Sequence, residues 1–280
     1  MTELITMHTH STFCNHAKDP LGDMVQAAVD AGIAHMAATE HYPIPDELDP
    51  SKRSTMPAER LEAYIDVVRE QQKRDDIDVL LGCELDWLGK DETRALHASD
   101  FDRFDVVLGS VHFVDRWLMV SHKNMSRWKS VDLEAFWNRY VELWCEAAKS
   151  DMPFTVMAHA DVVKKFSPKP EFDLEPLYER MARAAREGGR MVEVNTSGAY
   201  AECSEYYPSP SLLQAFRAEG TMESESRAEN IQEFLGVAAE FEETHEDIEG
   251  TLESLEELRA AGVADVPAGA EPEPAVVSAP

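Results

Sequence analysis

Nine of the ten histidines lie within residues 1–159, and most of them stand where a short apolar run gives way to polar residues. His8-Thr9-His10 follows Leu4–Met7, with His16 in the next loop. Glu40-His41 follows His35–Thr39, Glu84 and Asp86 close Asp78–Leu85, and His112 follows Phe104–Val111. His159 and Asp161 follow Phe154–Ala158, and Asn195 and Ser197 follow Met191–Val194. Imidazole and carboxylate together suit zinc, iron and manganese. His8 and His10, two apart on a strand, share one side and can hold one ion. A carboxylate such as Glu84 can bridge two. Two or three ions roughly 3.5–4 Å apart activate a bridging water, lowering its pKa from about 15.7 towards roughly 7, and clamp the oxygens of a phosphate ester. Such chemistry needs no side-chain nucleophile, and the sequence has no GxSxG, Walker A or GxGxxG motif to supply a rival one.

These residues need a scaffold that brings the ends of separate runs together. The six runs read as strands, with amphipathic helices between them. One helix follows Asp19-Pro20, with Leu21, Met24, Val25, Ala28 and Val29 at helical spacing. Others cover about 57–74, 132–149, 174–187 and 209–218. Strand–helix alternation reads as a parallel sheet or a β/α barrel, and in a barrel the C-terminal strand ends meet on one face. The other histidines read differently: His35 begins a strand and packs, His97 lies on a helix, and His122 sits in the polar loop SHKNMSRW, exposed or within reach of a substrate.

With 280 residues and 44% hydrophobic content, the chain can bury a sizeable core. Its formal charge is −28, which argues against nucleic-acid and anionic-membrane partners. No run reaches the roughly 18–20 apolar residues of a membrane span. MTELITMHTH lacks the features of a signal peptide, so a cytoplasmic location is expected. Cys14, Cys83, Cys145 and Cys203 form no CxxC pair, which points to neither a disulfide framework nor a cysteine–zinc knuckle. Composition changes near Gly220. Residues 221–280 carry 16 acids and 2 bases. From about 224 to 261 the pattern is helical, with Ile231, Phe234, Leu235, Ala238 and Phe241 in one stripe and Leu252, Leu255 and Leu258 in another. The tail 263–280, rich in Ala, Pro, Val and Glu, reads as disordered.

In order along the chain, MHTHSTFCNHA, AATEHYPIP, LLGCELDW, VVLGSVHF, VMAHADVVKKF, EVNTSG and YYPSPSLL resemble the histidinol-phosphate phosphatases of the PHP (polymerase and histidinol phosphatase) superfamily over residues 3–220. The resemblance implies a distorted seven-stranded β/α barrel with a trinuclear metal centre of zinc, manganese or iron. It implies hydrolysis of L-histidinol phosphate, a small phosphomonoester, to L-histidinol and phosphate in histidine biosynthesis. Carried over by position, His8, His10 and Glu84 hold one metal, Glu84, His112 and His159 a second, and His16 and His41 the third. Glu84, His112 and His159 are the catalytic set. Lys164 and Lys165 either attract the phosphate or are exposed helical lysines. Asn195 and Ser197 either contact substrate or fix their loop. Ala199-Tyr200-Ala201-Glu202 stands where the family often has basic residues.

The resemblance also implies a seventh strand ending in an Asp-x-His motif that completes two of the metal positions. No Asp-x-His occurs after residue 200. The expected fold is therefore a barrel lacking its last strand, with a metal site short of two ligands. Residues 226–258 instead resemble a segment of UvrD-type DNA helicases, without any ATPase motif. The expected organisation is a metallophosphatase domain over 1–220, an acidic helical segment of foreign origin over 221–262, and the tail. Two functions follow: a phosphatase impaired by the missing ligands, on histidinol phosphate or another small phosphomonoester, and a catalytically defective fusion product with residual metal binding.

Overall fold

The computed structural model describes residues 4–14, 17–49, 54–97 and 101–220. His16, the acidic segment 221–262 and the tail 263–280 lie outside the described residues.

The apolar runs become strands where sequence analysis expects them, with shifted bounds. They are β1 (Leu4–Thr6), β2 (Ile33–Ala38), β3 (Asp78–Asp86) and β4 (Val106–Ser110). A two-stranded antiparallel hairpin follows, β5 (Phe113–Val114) with β6 (Trp117–Leu118), and then β7 (Val156–Met157) and β8 (Met191–Val192). Six of these strands form one parallel sheet in the order β1-β2-β3-β4-β7-β8. Each sheet strand thus adds beside the one before it in the chain, as right-handed β–helix–β crossovers require. The helices are α1 (Leu21–Asp30), α2 (Leu61–Gln71), α3 (Lys90–His97), α4 (Leu133–Lys149), α5 (Glu175–Gly188) and α6 (Pro210–Ala218).

The middle of the sheet is the best buried part. In β3, Val79 and every residue from Leu81 to Asp86 are buried. This is the near-continuous apolar pattern of a parallel strand covered on both faces. Tyr64 of α2 places its hydroxyl 2.6 Å from the Ala38 carbonyl and 2.7 Å from that of Gly82, joining helix to sheet. At Gly109 of β4 a Cβ would lie 2.7 Å from the Phe154 ring, so only glycine lets that ring close over the strand. On one side α4 packs on α5 and α5 on α6, burying Trp137, Trp144, Met181, Leu212 and Phe216. Burying a large apolar side chain contributes about 1.5–3 kcal/mol. Asp132 caps α4 by accepting from the Ala135 amide, and Gly189, at φ +63°, ends α5 in the left-handed state that glycine favours.

The sheet's edges are thinner. Leu4 and Ile5 on β1 are 45% and 59% exposed, and Met191 on β8 is 48% exposed. Yet the C-terminal ends of these outermost strands meet: the His8 and Glu193 side chains are 2.8 Å apart. The sheet is therefore curled, with its strand ends around one bowl.

Some local expectations are corrected. The hairpin Phe113–Leu118 is absent from the sequence reading. The loop SHKNMSRW contains a 3-10 helix, His122–Ser130, with Trp128 buried beside Trp117. His35 does not pack inside; it pairs with Asp78 at 3.0 Å at a half-exposed position. The four cysteines are free.

Candidate metal centre

The bowl is built around Glu84. Its side chain, on the third-from-last residue of β3, is 1% exposed. Residues on either side of it supply the imidazoles. Thr9, between His8 and His10, is anchored to β2: its amide donates to Thr39 Oγ1 at 2.9 Å and its hydroxyl to the Ala37 carbonyl at 2.8 Å. With Thr9 turned towards β2, both flanking histidines turn towards Glu84. The loop after them is held by Glu40, whose Oε1 accepts from the Ser11 amide at 2.7 Å and the Ser11 hydroxyl at 2.5 Å. Cys14 accepts the His41 amide at 3.0 Å.

Five imidazoles converge on one carboxylate. Glu84 Oε2 lies 3.1 Å from His8 Nε2, 3.1 Å from His10 Nε2 and 3.0 Å from His41 Nδ1. Glu84 Oε1 lies 2.8 Å from His159 Nε2 and 3.5 Å from His112 Nε2, and also accepts from Ser110 Oγ. His10 and His41 stack with centroids 4.3 Å apart. His8 Nε2 is 3.0 Å from His10 Nε2, and His112 Nε2 is 3.2 Å from His159 Nε2.

Two further carboxylates stand behind the imidazoles. Glu193 Oε1 is 2.8 Å from His8 Nδ1, and Asp86 Oδ1 is 2.8 Å from His112 Nδ1. A carboxylate accepts, so Nδ1 carries the proton in both rings. In neutral His8 and His112 the Nε2 atoms are then lone pairs, aimed at Glu84 oxygens and at another ring nitrogen. Lone pairs facing a carboxylate repel it unless a proton or a metal cation lies between them. This is the donor chemistry of a divalent metal site with histidines oriented by outer carboxylates. Among the described residues, four donor groups each place one ligand atom per residue within 4.8 Å of the others: His8, Glu84 and His159; His10, His41 and Glu84; His41, Asp86 and His112; and His10, Cys14 and Glu40.

The electrostatics divide the histidines into two kinds. Burial disfavours a charged ring in His8, His41, His112 and His159. For His8 this is outweighed by Glu193 and Glu84, and for His112 by Asp86 and Glu84, so both pKa values rise. In His41 and His159 burial outweighs the pull of Glu84 and takes both below the ordinary range. Burial likewise opposes ionisation of Glu84, but His41, His8 and His112 hold its carboxyl well below the usual range. His8 and His159 outweigh burial at Glu193 and hold it at about 2.

His8, His10, His41, Glu84, His112 and His159 are thus brought together; His16 lies outside the described residues. The donor groups cut across the sets carried over by position, since His41 lies against Glu84 with His10 on one side and near His112 on the other. Lys164 is not an exposed lysine: its side chain is buried, with Nζ 2.9 Å from Asp161 Oδ2, 3.2 Å from Glu205 Oε2 and 2.6 Å from the Tyr206 carbonyl. Lys165 is half-buried, and its charge is felt at Glu84 and His112. Asn195 Oδ1 accepts from the Ser197 amide at 2.9 Å and hydroxyl at 2.6 Å, capping the turn Thr196–Tyr200, and Asn195 Nδ2 donates to Glu193 at 3.0 Å. His122 packs against Phe166 with centroids 4.5 Å apart and the rings tilted at 56°. Glu193 is the residue that sequence reasoning missed. Its signal was period-2 spacing from Asn195, which puts both on one side of an extended segment. Asp86 was visible as a strand-end acid, without a role.

A curled parallel sheet with its helices, carrying histidine and carboxylate donors at the strand ends, is the architecture of a metal-binding β/α protein. The family model described as the PHP domain matches residues 6–197, and the chain belongs to that family. A Deinococcus radiodurans protein named "Probable histidinol-phosphatase" is 31% identical over 223 residues, covering 79% of this chain and 84% of the relative. A Schizosaccharomyces pombe protein of the same name is 25% identical over 238 residues, covering 77% of each. The fold is similar to the crystal structure of a Lactococcus lactis histidinol phosphate phosphatase complexed with zinc, L-histidinol and phosphate. That match has a TM-score of 0.63 at 18% identity, over 78% of this chain and 82% of that one. A Listeria monocytogenes crystal structure aligns with a TM-score of 0.67 at 19% identity, over 78% and 91%. Among the described residues, no helix is long and apolar enough to cross a membrane.

Proposed function

We propose that this chain is a divalent-metal-dependent phosphomonoesterase that hydrolyses L-histidinol phosphate to L-histidinol and phosphate. The observation that carries the reading is the convergence of five imidazole nitrogens on the two oxygens of one buried glutamate, with Glu193 and Asp86 against the outward nitrogens of His8 and His112. The names of the two relatives and the ligands of the Lactococcus protein support the substrate. Zinc, manganese or iron bound by His8, His10, His41, Glu84, His112 and His159 would supply a Lewis acid for the phosphate oxygens and a lowered pKa for attacking water.

The remaining work falls to side chains of the chain itself. Glu84 gathers the imidazoles and bridges the two sides of the bowl, with His112 and His159 completing the catalytic set. Asp86 and Glu193 hold protons on the outward nitrogens of His112 and His8, keeping the inward ones free to bind. Lys165 supplies positive charge beside Glu84 and His112 and is the group we assign to the substrate phosphate. Lys164, pinned by Asp161, Glu205 and the Tyr206 carbonyl, orders the segment entering α6. Asn195 and Ser197 order the turn after β8.

Turnover below that of the relatives is part of the proposal, because no Asp-x-His pair follows residue 200. No helicase chemistry is assigned to residues 221–262, which carry no ATPase motif. The test is phosphate release from L-histidinol phosphate by the purified full-length chain, stripped with chelator and reloaded with manganese, zinc or iron. Release that needs added metal and exceeds release from p-nitrophenyl phosphate is expected. No release with any of the three metals would sink the reading. Equal rates on both esters would leave a phosphatase of different substrate.

A further inference from the structure

Glu193 touches two of the histidines by different routes, and neither route is needed merely to fold the strand that bears it. We propose that Glu193 is a positioning residue of the metal centre, presenting His8 through its side chain and His159 through its backbone. The inference rests on the metal-centre reading above. His8 follows β1, which among the described residues is an edge strand paired with β2, with Leu4 and Ile5 exposed. Its ring is 8% exposed, and the carboxylate of Glu193 meets its outward nitrogen. Glu193, just past β8 on the opposite edge, reaches across at 2.8 Å and sets the proton on Nδ1, which leaves Nε2 free towards Glu84.

The second oxygen acts on the main chain. β7 ends at Met157, so His159 lies beyond the strand ladder, and its backbone adopts φ +24°. L-residues enter that region only where surrounding contacts enforce it. The enforcing contact is the His159 amide, which donates to Glu193 Oε2 at 2.8 Å. Glu193 is itself held by Asn195 Nδ2, whose carbonyl is bound by Ser197. A line of hydrogen bonds thus runs from Ser197 through Asn195 and Glu193 to two donors on opposite sides of Glu84. Asp86, by contrast, holds one side chain from the same strand as Glu84 and leaves the main chain alone.

The substitution Glu193→Gln keeps size and burial but cannot accept at both oxygens. Its amide nitrogen must face either the His8 Nδ1 proton or the His159 amide proton. Zinc affinity of the chelator-stripped full-length chain is measured by competition with a chromophoric chelator, beside the melting midpoint of the same metal-free proteins. The expected result is zinc binding about 10–100-fold weaker at a temperature where both metal-free proteins are still folded, and a changed visible spectrum of the cobalt-loaded protein. On a His8→Ala background, Glu193→Gln should cost much less, the remainder being the share carried by the His159 amide. Unchanged zinc affinity, or a fall confined to the metal-free midpoint, would overturn the proposal. Wild-type protein that binds neither zinc nor cobalt would overturn the metal-centre reading itself, and the wild-type titration alone tells these failures apart.

Discussion

Glu84 and His8 serve one centre, yet the chain holds them by opposite means. Glu84 rides on β3, with β2 and β4 on either side, Tyr64 against the sheet and the Phe154 ring closed over Gly109. Its outer partner, Ser110 Oγ, comes from the adjacent strand β4, and the packed middle of the sheet allows its backbone one position. His8 leaves a strand that among the described residues is at the sheet's edge, and a carboxylate 185 residues away orients it. The centre of the sheet positions by packing and its rim positions by hydrogen bonds. Packing errors should therefore cost fold stability, and rim errors should cost metal affinity.

The largest effect should come from Glu84→Gln. One substitution removes the charge against which five imidazoles converge, and zinc affinity should fall by more than about 100-fold, read by metal per chain after gel filtration. Next, Gly109→Ala drives a Cβ into the Phe154 ring and should lower unfolding free energy by about 1–3 kcal/mol in denaturant titration. Metal binding by the fraction still folded should be unchanged.

The rim can be probed by pH in the metal-free protein. Glu193, held at about 2 against an ordinary 4.5, adds stability above pH 4.5 that is lost as pH falls towards 2. His8, raised above 6.5, adds stability below pH 6.5 that is lost as pH rises through its higher value. The pair contributes fully between these limits. Glu193→Gln should flatten both flanks of the stability–pH curve, and flanks that persist would assign them elsewhere. Asp86→Asn should weaken zinc binding about tenfold, through His112 alone. The smallest effect should be Ile5→Lys, on the solvent side of β1. A stability change within about 0.5 kcal/mol is expected, and a larger one would mean that the edge is covered in solution.

Much of the architecture is legible because parallel strands buried on both faces are dense apolar runs, and β3 and β4 were bounded within a residue or two. The hairpin Phe113–Leu118 is not, because its strands are two residues each and its turn, Asp115-Arg116, takes positive φ at both positions without the Asn-Gly signature. The burial of Lys164 is also hidden. A lysine beside a lysine reads as solvated, and only the return of Glu205 and Tyr206 from a distant segment gives its ammonium partners.

By itself the sequence determined the donor inventory and its placement at strand ends, since residue type and the period-2 alternation of strands are local properties. It also determined, through its motifs, the family to which the chain belongs. The tertiary structure decided which donors share an ion's reach, which imidazole nitrogen faces inward and which carboxylates stand behind. Those depend on the curl that brings β1 and β8 within 2.8 Å of side-chain contact, and hydrogen bonds between residues far apart in sequence leave no local pattern to read.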